Sequence, residues 1–198
     1  MTGTLPSSAA YGRWLAILRF FTGAMWLAHG VPKFTHSAEF MPAAGPLDCA
    51  TALQTKTSFM SAFVCGGLQN STGAYHQFLA ATVIPNVSIF AELVRLGEVC
   101  AGLALLLGAL TRLGGLTGMV LTANYIAARG HPWTSSTLQS LDFAMFVLSA
   151  VSLVLPTGRV WGVDGLWARG RRRPATPTVR AEFVPEPPLE GPTAPPSA

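Results

Sequence analysis

Three residues in the stretch FAELVRLGEVCAGLALLLGAL, residues 90–110, could do chemistry: Glu92, Arg95 and Glu98. The run around them is apolar enough to dissolve in lipid, where each ionised group near the bilayer centre costs roughly 2.5–3.5 kcal/mol. Two carboxylates and a guanidinium in such a place need partners or a purpose. Steps of three residues advance a helix by about 300°, so the three fall within an arc of about 120° with Arg95 between the acids. They can face one neighbour, and Arg95 can pair within its own helix. Catalytic roles follow for all three: Arg95 to hold an anion, Glu92 and Glu98 to carry protons or to keep Arg95 in place. The competing reading is a buried ion-pair network that fixes helix register.

Other polar groups gather at the same level. His29 and Lys33 close the first apolar run, and Asn124 and Tyr125 lie late in the third. Arg129 and His131 follow in a short connection, and Asp142 opens the fourth run. His29, Lys33, Asn124, His131 and Asp142 are therefore the candidate substrate-binding residues. A pocket of Arg, Lys and His suits a small anion, or a quinone head group that needs hydrogen bonds and a proton route. Plainer roles compete: Lys33 snorkels, Asn124 bonds a neighbouring helix, and Asp142 caps its helix or balances Arg129. Arg19 lies deeper, with Glu98 as its expected partner.

These groups need apolar elements to carry them. The chain of 198 residues is half hydrophobic and only 11% charged, with a mean hydropathy of +0.42. Soluble domains are about 25% charged, so much of this surface does not meet water. Four runs approach the ~20 residues that cross a hydrocarbon core: 14–31, 89–110, 113–128 and 141–155. Arg19 inside the first run argues for a retained helix rather than a cleaved signal peptide. The expected fold is all-α, an integral membrane four-helix bundle over residues 14–168. Residues 1–13 form a short N-terminus.

Lysine and arginine placement sets the orientation. Arg13, Arg112, Arg159 and the cluster Arg169–Arg173 fall on one side; Lys33, Lys56 and Arg129 fall on the other. The first side is expected in the cytoplasm, with both termini. Residues 32–88 then form a long extracytoplasmic loop between the first two spans. Within it Phe59, Met60, Phe63 and Val64 recur at helical spacing, which predicts an amphipathic helix on the membrane surface. Residues 169–198 are basic and then Pro-rich, a composition that predicts a disordered cytoplasmic tail. The net charge of +4 reflects that flank, and no nucleic-acid partner is expected.

Cys49 and Cys65 share the outer loop, where oxidising conditions allow a disulfide. A structural bridge, two unpaired thiols and a redox-active pair all fit the sequence. Cys100 is expected to be inert packing within the second span. The four His are scattered without metal-ligand spacing, and no CxxC, GxGxxG or GxxxxGK[ST] occurs. No bound metal or nucleotide is expected. Redox chemistry would need a diffusing quinone, a cysteine pair or a cofactor on a partner.

Four segments carry a family resemblance: HGVPK (29–33), RLGEVCAGLALLLGALTRLGG (95–115), ANYIAARGH (123–131) and WGVDGLW (161–167). Together the chain resembles the DoxX/DoxD family of small four-helix membrane proteins, closest to its DoxD-like members in thiosulfate:quinone oxidoreductase. The resemblance implies a multi-pass protein of a prokaryotic cytoplasmic membrane, lodged in redox-associated complexes. For the DoxD-like members it further implies oxidation of thiosulfate to tetrathionate, with quinone as electron acceptor. The expected function is thus a membrane-embedded redox subunit, with the lipid bilayer, a second redox subunit or further copies of itself as partners. The alternative is a non-catalytic membrane scaffold that anchors a partner redox enzyme.

Overall fold

Apolar runs punctuated by glycine and proline fold here as helices. The computed structural model describes residues 8–43, 45–55, 58–130 and 138–170. Among these residues all regular structure is helical. Lys56, His131, the cluster Arg171–Arg173 and the rest of the expected tail lie outside the described residues.

Helix α1 (Ser8–Gly30) begins the fold. Pro32 at its first turn starts the single-turn α2 (Pro32–Thr35), and α3 (Ser37–Phe40) follows directly. Asp48 then accepts from the backbone of Ala50 and Thr51 and from the Thr51 hydroxyl, which starts α4 (Cys49–Thr55). Ser58 caps α5 (Phe59–Asn70) by accepting from the Ser61 amide. Helix α6 (Gly73–Phe78) runs through a π-helical turn at Leu79–Val83 and a 3-10 turn at Ile84–Asn86, where Pro85 sits. It leads into α7 (Val87–Leu107). A tight turn with Gly108 and Leu110 in the left-handed region connects α7 to α8 (Thr111–Ala128). Ser140 caps α9 (Leu141–Val154), and α10 (Val163–Gly170) closes the described chain.

Helices α1, α7, α8 and α9 pack in a ring: α1 on α7, α7 on α8, α8 on α9, and α9 back on α1. Small residues let their backbones approach. A Cβ added at Gly23 would lie 2.5 Å from the Leu106 amide nitrogen, and one at Gly115 would lie 2.7 Å from that of Leu153. Thr22, Thr122, Ser149 and Ser152 are fully buried. Large apolar side chains point the other way: Trp14, Phe21, Leu93, Leu107, Leu113, Val120 and Val154 are all exposed. Small and polar inside with bulky and apolar outside is the arrangement lipid favours, because lipid contributes no hydrophobic drive to bury leucine.

By length and composition one helical stretch, Ala10–Thr35, can cross a membrane among the described residues. The other expected spans are helical but fall short of that test. Helix α7 carries three charges, α8 is diluted by glycine, threonine and asparagine, and α9 has 14 residues.

Residues 32–88 are not an open loop. Helices α2 to α6 form a cap over the Lys33 end of the ring, with Phe40, Met60, Val64, Leu79, Val83 and Val87 as its core. The expected surface helix is α5, and it packs on α7, α8 and the π-helical turn rather than lying free on a membrane. Cys49 and Cys65 are joined in a disulfide that ties α4 to α5. Cys100, expected in packing, is exposed on α7.

Candidate functional site

Glu98 decides the geometry of the site. It is 1% exposed in the middle of the ring, where a lone carboxylate would be strongly disfavoured. Two groups stabilise its charge through one oxygen. Lys33 Nζ donates to Oε1 at 2.5 Å, and the Tyr125 hydroxyl donates to the same atom at 2.5 Å. Lys33 lies on α2, which continues from α1 through the helical backbone of Val31, and its side chain is largely buried, so its stem crosses apolar surface. Its ammonium also lies 5.1 Å from the Phe40 ring centre and 5.6 Å from that of Tyr125, a favourable cation–π environment.

The triad stands at the edge of a cavity of about 510 Å³ between the ring and the cap. Most of its wall is apolar and aromatic, with Phe40, Phe59, Phe63, Tyr75, Phe78 and Phe90 from the cap and α7. Its polar and charged lining includes His29, Lys33, Glu98, Asn124, Tyr125, Arg129 and Asp142. A shallower pocket of about 290 Å³ shares His29, Lys33, Phe40 and Phe59 with it. Volume and lining are those of a site for a drug-sized apolar ligand with one polar end.

The expected site residues divide. His29, Lys33, Glu98, Asn124 and Asp142 line the one cavity, whereas His131 lies outside the described residues. The Asn124 amide bonds back to the Val120 carbonyl of its own helix rather than to a neighbour. The Asn124 backbone carbonyl accepts from the Tyr75 hydroxyl of the cap; burial pushes the Tyr75 phenol above its usual range, which keeps it a donor. Asp142 pairs with Arg129 at 2.8 Å. Glu92 and Arg95 form a separate pair on α7, with Arg95 Nε donating to Glu92 Oε2 at 2.6 Å and a second contact from its Nη2. Arg95 also stacks 4.6 Å from the Phe34 ring centre, and neither residue of this pair lines the cavity.

Arg19 does not meet Glu98. It is buried at the opposite end of the ring, where it donates to the carbonyls of Thr157 and Trp161. Asp164 from α10 completes that end by accepting from the Leu110 and Thr111 amides and the Thr111 hydroxyl. Partial burial pushes the Asp164 carboxyl up, but these hydrogen bonds and the Arg19 charge outweigh it and hold it below the ordinary range. Tyr125 is the site residue that sequence reasoning passed over in favour of Asn124. The one signal was its place next to Asn124 on the same polar stretch.

A family model described as DoxX matches residues 14–129, which carries Lys33, Glu98 and Tyr125 together. The chain belongs to the DoxX family. This DoxX chain is accordingly a membrane protein, consistent with a membrane redox-associated subunit. Helices α9 and α10, with Asp142 and Asp164, lie beyond the matched segment. No curated protein and no solved structure matches the chain.

Proposed function

We propose that this DoxX chain is the quinone-binding membrane subunit of a redox system of the thiosulfate:quinone oxidoreductase type. On this reading α1, α7, α8 and α9 cross the bilayer, both termini lie in the cytoplasm, and the cap with its cavity faces outward. The observation that carries the proposal is the cavity, an apolar and aromatic space ending in the buried Lys33–Glu98–Tyr125 triad. A quinone ring is apolar across its faces and needs hydrogen-bonding groups only at its two oxygens.

In the overall reaction two thiosulfate ions each lose one electron and join through a new sulfur–sulfur bond to give tetrathionate. One quinone takes up the two electrons and two protons to become quinol. Thiosulfate itself does not suit the cavity. Among the described residues its two permanent cations are already paired, Lys33 with Glu98 and Arg129 with Asp142. The anion site therefore belongs to a partner subunit, and this chain supplies the quinone end.

The rival reading is a non-catalytic anchor for a partner redox enzyme. What favours it is that Arg95 is paired with Glu92 within α7, and Arg129 with Asp142 of α9, as structural charges in a bundle need to be. Thiosulfate-dependent quinone reduction by the protein purified with its native partners separates the two. Tyr125→Phe should lower turnover about tenfold, since a hydrogen bond to a charged group is worth ~1.5–3 kcal/mol. Arg95→Met should leave turnover within about twofold. The reverse pattern would move the chemistry out of the cavity. Absence of thiosulfate-dependent reduction by the complete assembly would favour the anchor.

A further inference from the structure

Side chains that line the cavity and are also exposed mark where it reaches the surface. One such place is the seam between α7 and α8, beneath the cap. Leu93 of α7 is 57% exposed and Val120 of α8 is 50% exposed, and both line the cavity. Phe78 of the cap, also exposed and lining, packs edge-on against Phe90 of α7 with ring centres 6.1 Å apart. Away from the cap the seam is closed: a Cβ added at Gly114 would lie 2.9 Å from that of Ala104. The side chains of Thr117 and Leu121 still reach Gly97, and Leu93 stands one turn beyond it. Elsewhere the exposed lining brings ionisable groups. Exposed His29 belongs both to the cavity and to the shallower pocket, which adds His36 and Glu39. Exposed Arg129, paired with Asp142, marks a further edge.

We propose that the cavity's ligand is a long-chain quinone dissolved in the bilayer, whose ring lies in the cavity and whose chain runs out sideways between α7 and α8. The inference rests on the cavity being a quinone site. The seam mouth opens on a surface of the kind that lipid covers: Ile89, Leu96 and Leu116, each within a turn of Leu93 or Val120, are exposed and apolar. A hydrocarbon chain can pass there from the cavity to the bilayer without crossing water. The polar groups nearby make no demand on it. Asn124, one turn after Val120, turns its side-chain amide back to the Val120 carbonyl. The Glu92–Arg95 pair belongs to the other edge of α7, where Arg95 stacks on Phe34. The edges at His29 and Arg129 are poor exits for a chain, because the ionisable side chains there hold water.

The test is calorimetric binding to the full-length protein in nanodiscs, with empty nanodiscs subtracted. Two probes share one ring: a dimethoxy-methyl-benzoquinone without a chain, and the same ring carrying a decyl chain. Each variant is compared with the wild type for each probe, so that partition of the probe into lipid cancels. Leu93→Trp and Val120→Trp, alone and together, fill the seam mouth at positions that already bear an exposed apolar side chain. They should weaken binding of the decyl probe about tenfold or more, the cost of forcing extra atoms into filled space. The chainless probe should keep its affinity within about twofold. Leu103→Trp, on the exposed face of α7 but outside the cavity, should change neither. Thermal melts check folding, and Val120→Trp carries the test if Leu93→Trp does not fold. Folded seam variants that weaken both probes alike or neither, or the same selective loss in Leu103→Trp, would overturn this inference and leave the quinone site standing. Failure of both probes to bind the wild type would overturn both.

Discussion

At the residue scale the molecule depends on a single shared oxygen. Glu98 Oε1 holds both Lys33 and Tyr125, so deleting the carboxylate strands an ammonium and a phenol together. Glu98→Ala should therefore destabilise the fold by about 3–5 kcal/mol, the range for removing one partner of a buried pair. Unfolding in detergent by a denaturant titration reads this directly. Replacing the whole group by apolar residues, as Lys33→Met/Glu98→Leu/Tyr125→Phe, should recover most of the loss, because no uncompensated charge remains. A triple variant as unstable as Glu98→Ala would mean that packing, and not charge, holds this region. The other charges of α7 should matter far less. Arg95 and Glu92 form an i,i+3 pair whose Glu92 side chain is 41% exposed, and such pairs contribute only a few tenths of a kcal/mol.

At the element scale, helix existence was legible and helix rotation was not. The runs around 89–110, 113–128 and 141–155 are bounded by proline, glycine or serine, and the helices start and stop there because those residues interrupt apolar sequence. The 120° arc of Glu92, Arg95 and Glu98 was also readable, but an arc does not say which edge faces inward. The ring turns Glu98 to the centre and leaves Glu92 near the surface, a choice fixed by the close approach of α1 to α7 at Gly23 and Gly102. The same limit hid Tyr125 behind Asn124, about 100° away on α8. WGVDGLW was visible as a motif, but its work depends on a contact across the fold. Asp164 caps α8 from another element, and Leu110 and Thr111 are more than fifty residues away in sequence. Because this carboxyl is held below its ordinary range, its stabilisation is complete above the unfolded value of about 3.9 and is lost as pH falls through the lower folded value. Melting curves of wild type and Asp164→Asn should differ by about 0.5–1 kcal/mol at neutral pH. The gap should begin to close as pH falls below about 4 and vanish below the folded value; a gap that widens in acid would contradict the assignment.

At the scale of the whole molecule, two bodies with different supports meet at the cavity. The ring of α1, α7, α8 and α9 is held by close backbone packing and buried small residues, which an exposed apolar belt complements. The cap is a small, mainly aliphatic core of short helices, too small to be stable alone, and the Cys49–Cys65 bridge closes a segment of 16 residues within it. In the chain-entropy model closing about 15 residues contributes ~3 kcal/mol, a large share of what so small a unit can have. Phe40, Phe59, Phe63 and Tyr75 of the cap line the cavity, so loosening the cap should empty the site before it disturbs the ring. Cys49→Ser/Cys65→Ser should accordingly speed amide exchange across residues 49–70 and weaken binding of a short-chain benzoquinone several-fold. Exchange in α7 and α8 should stay slow, since their contacts with α1 and α9 do not involve the bridge. Unchanged binding with a freely exchanging cap would show that the ring alone holds the ligand. Slowed or unchanged exchange in the cap would show that its core does not need the bridge.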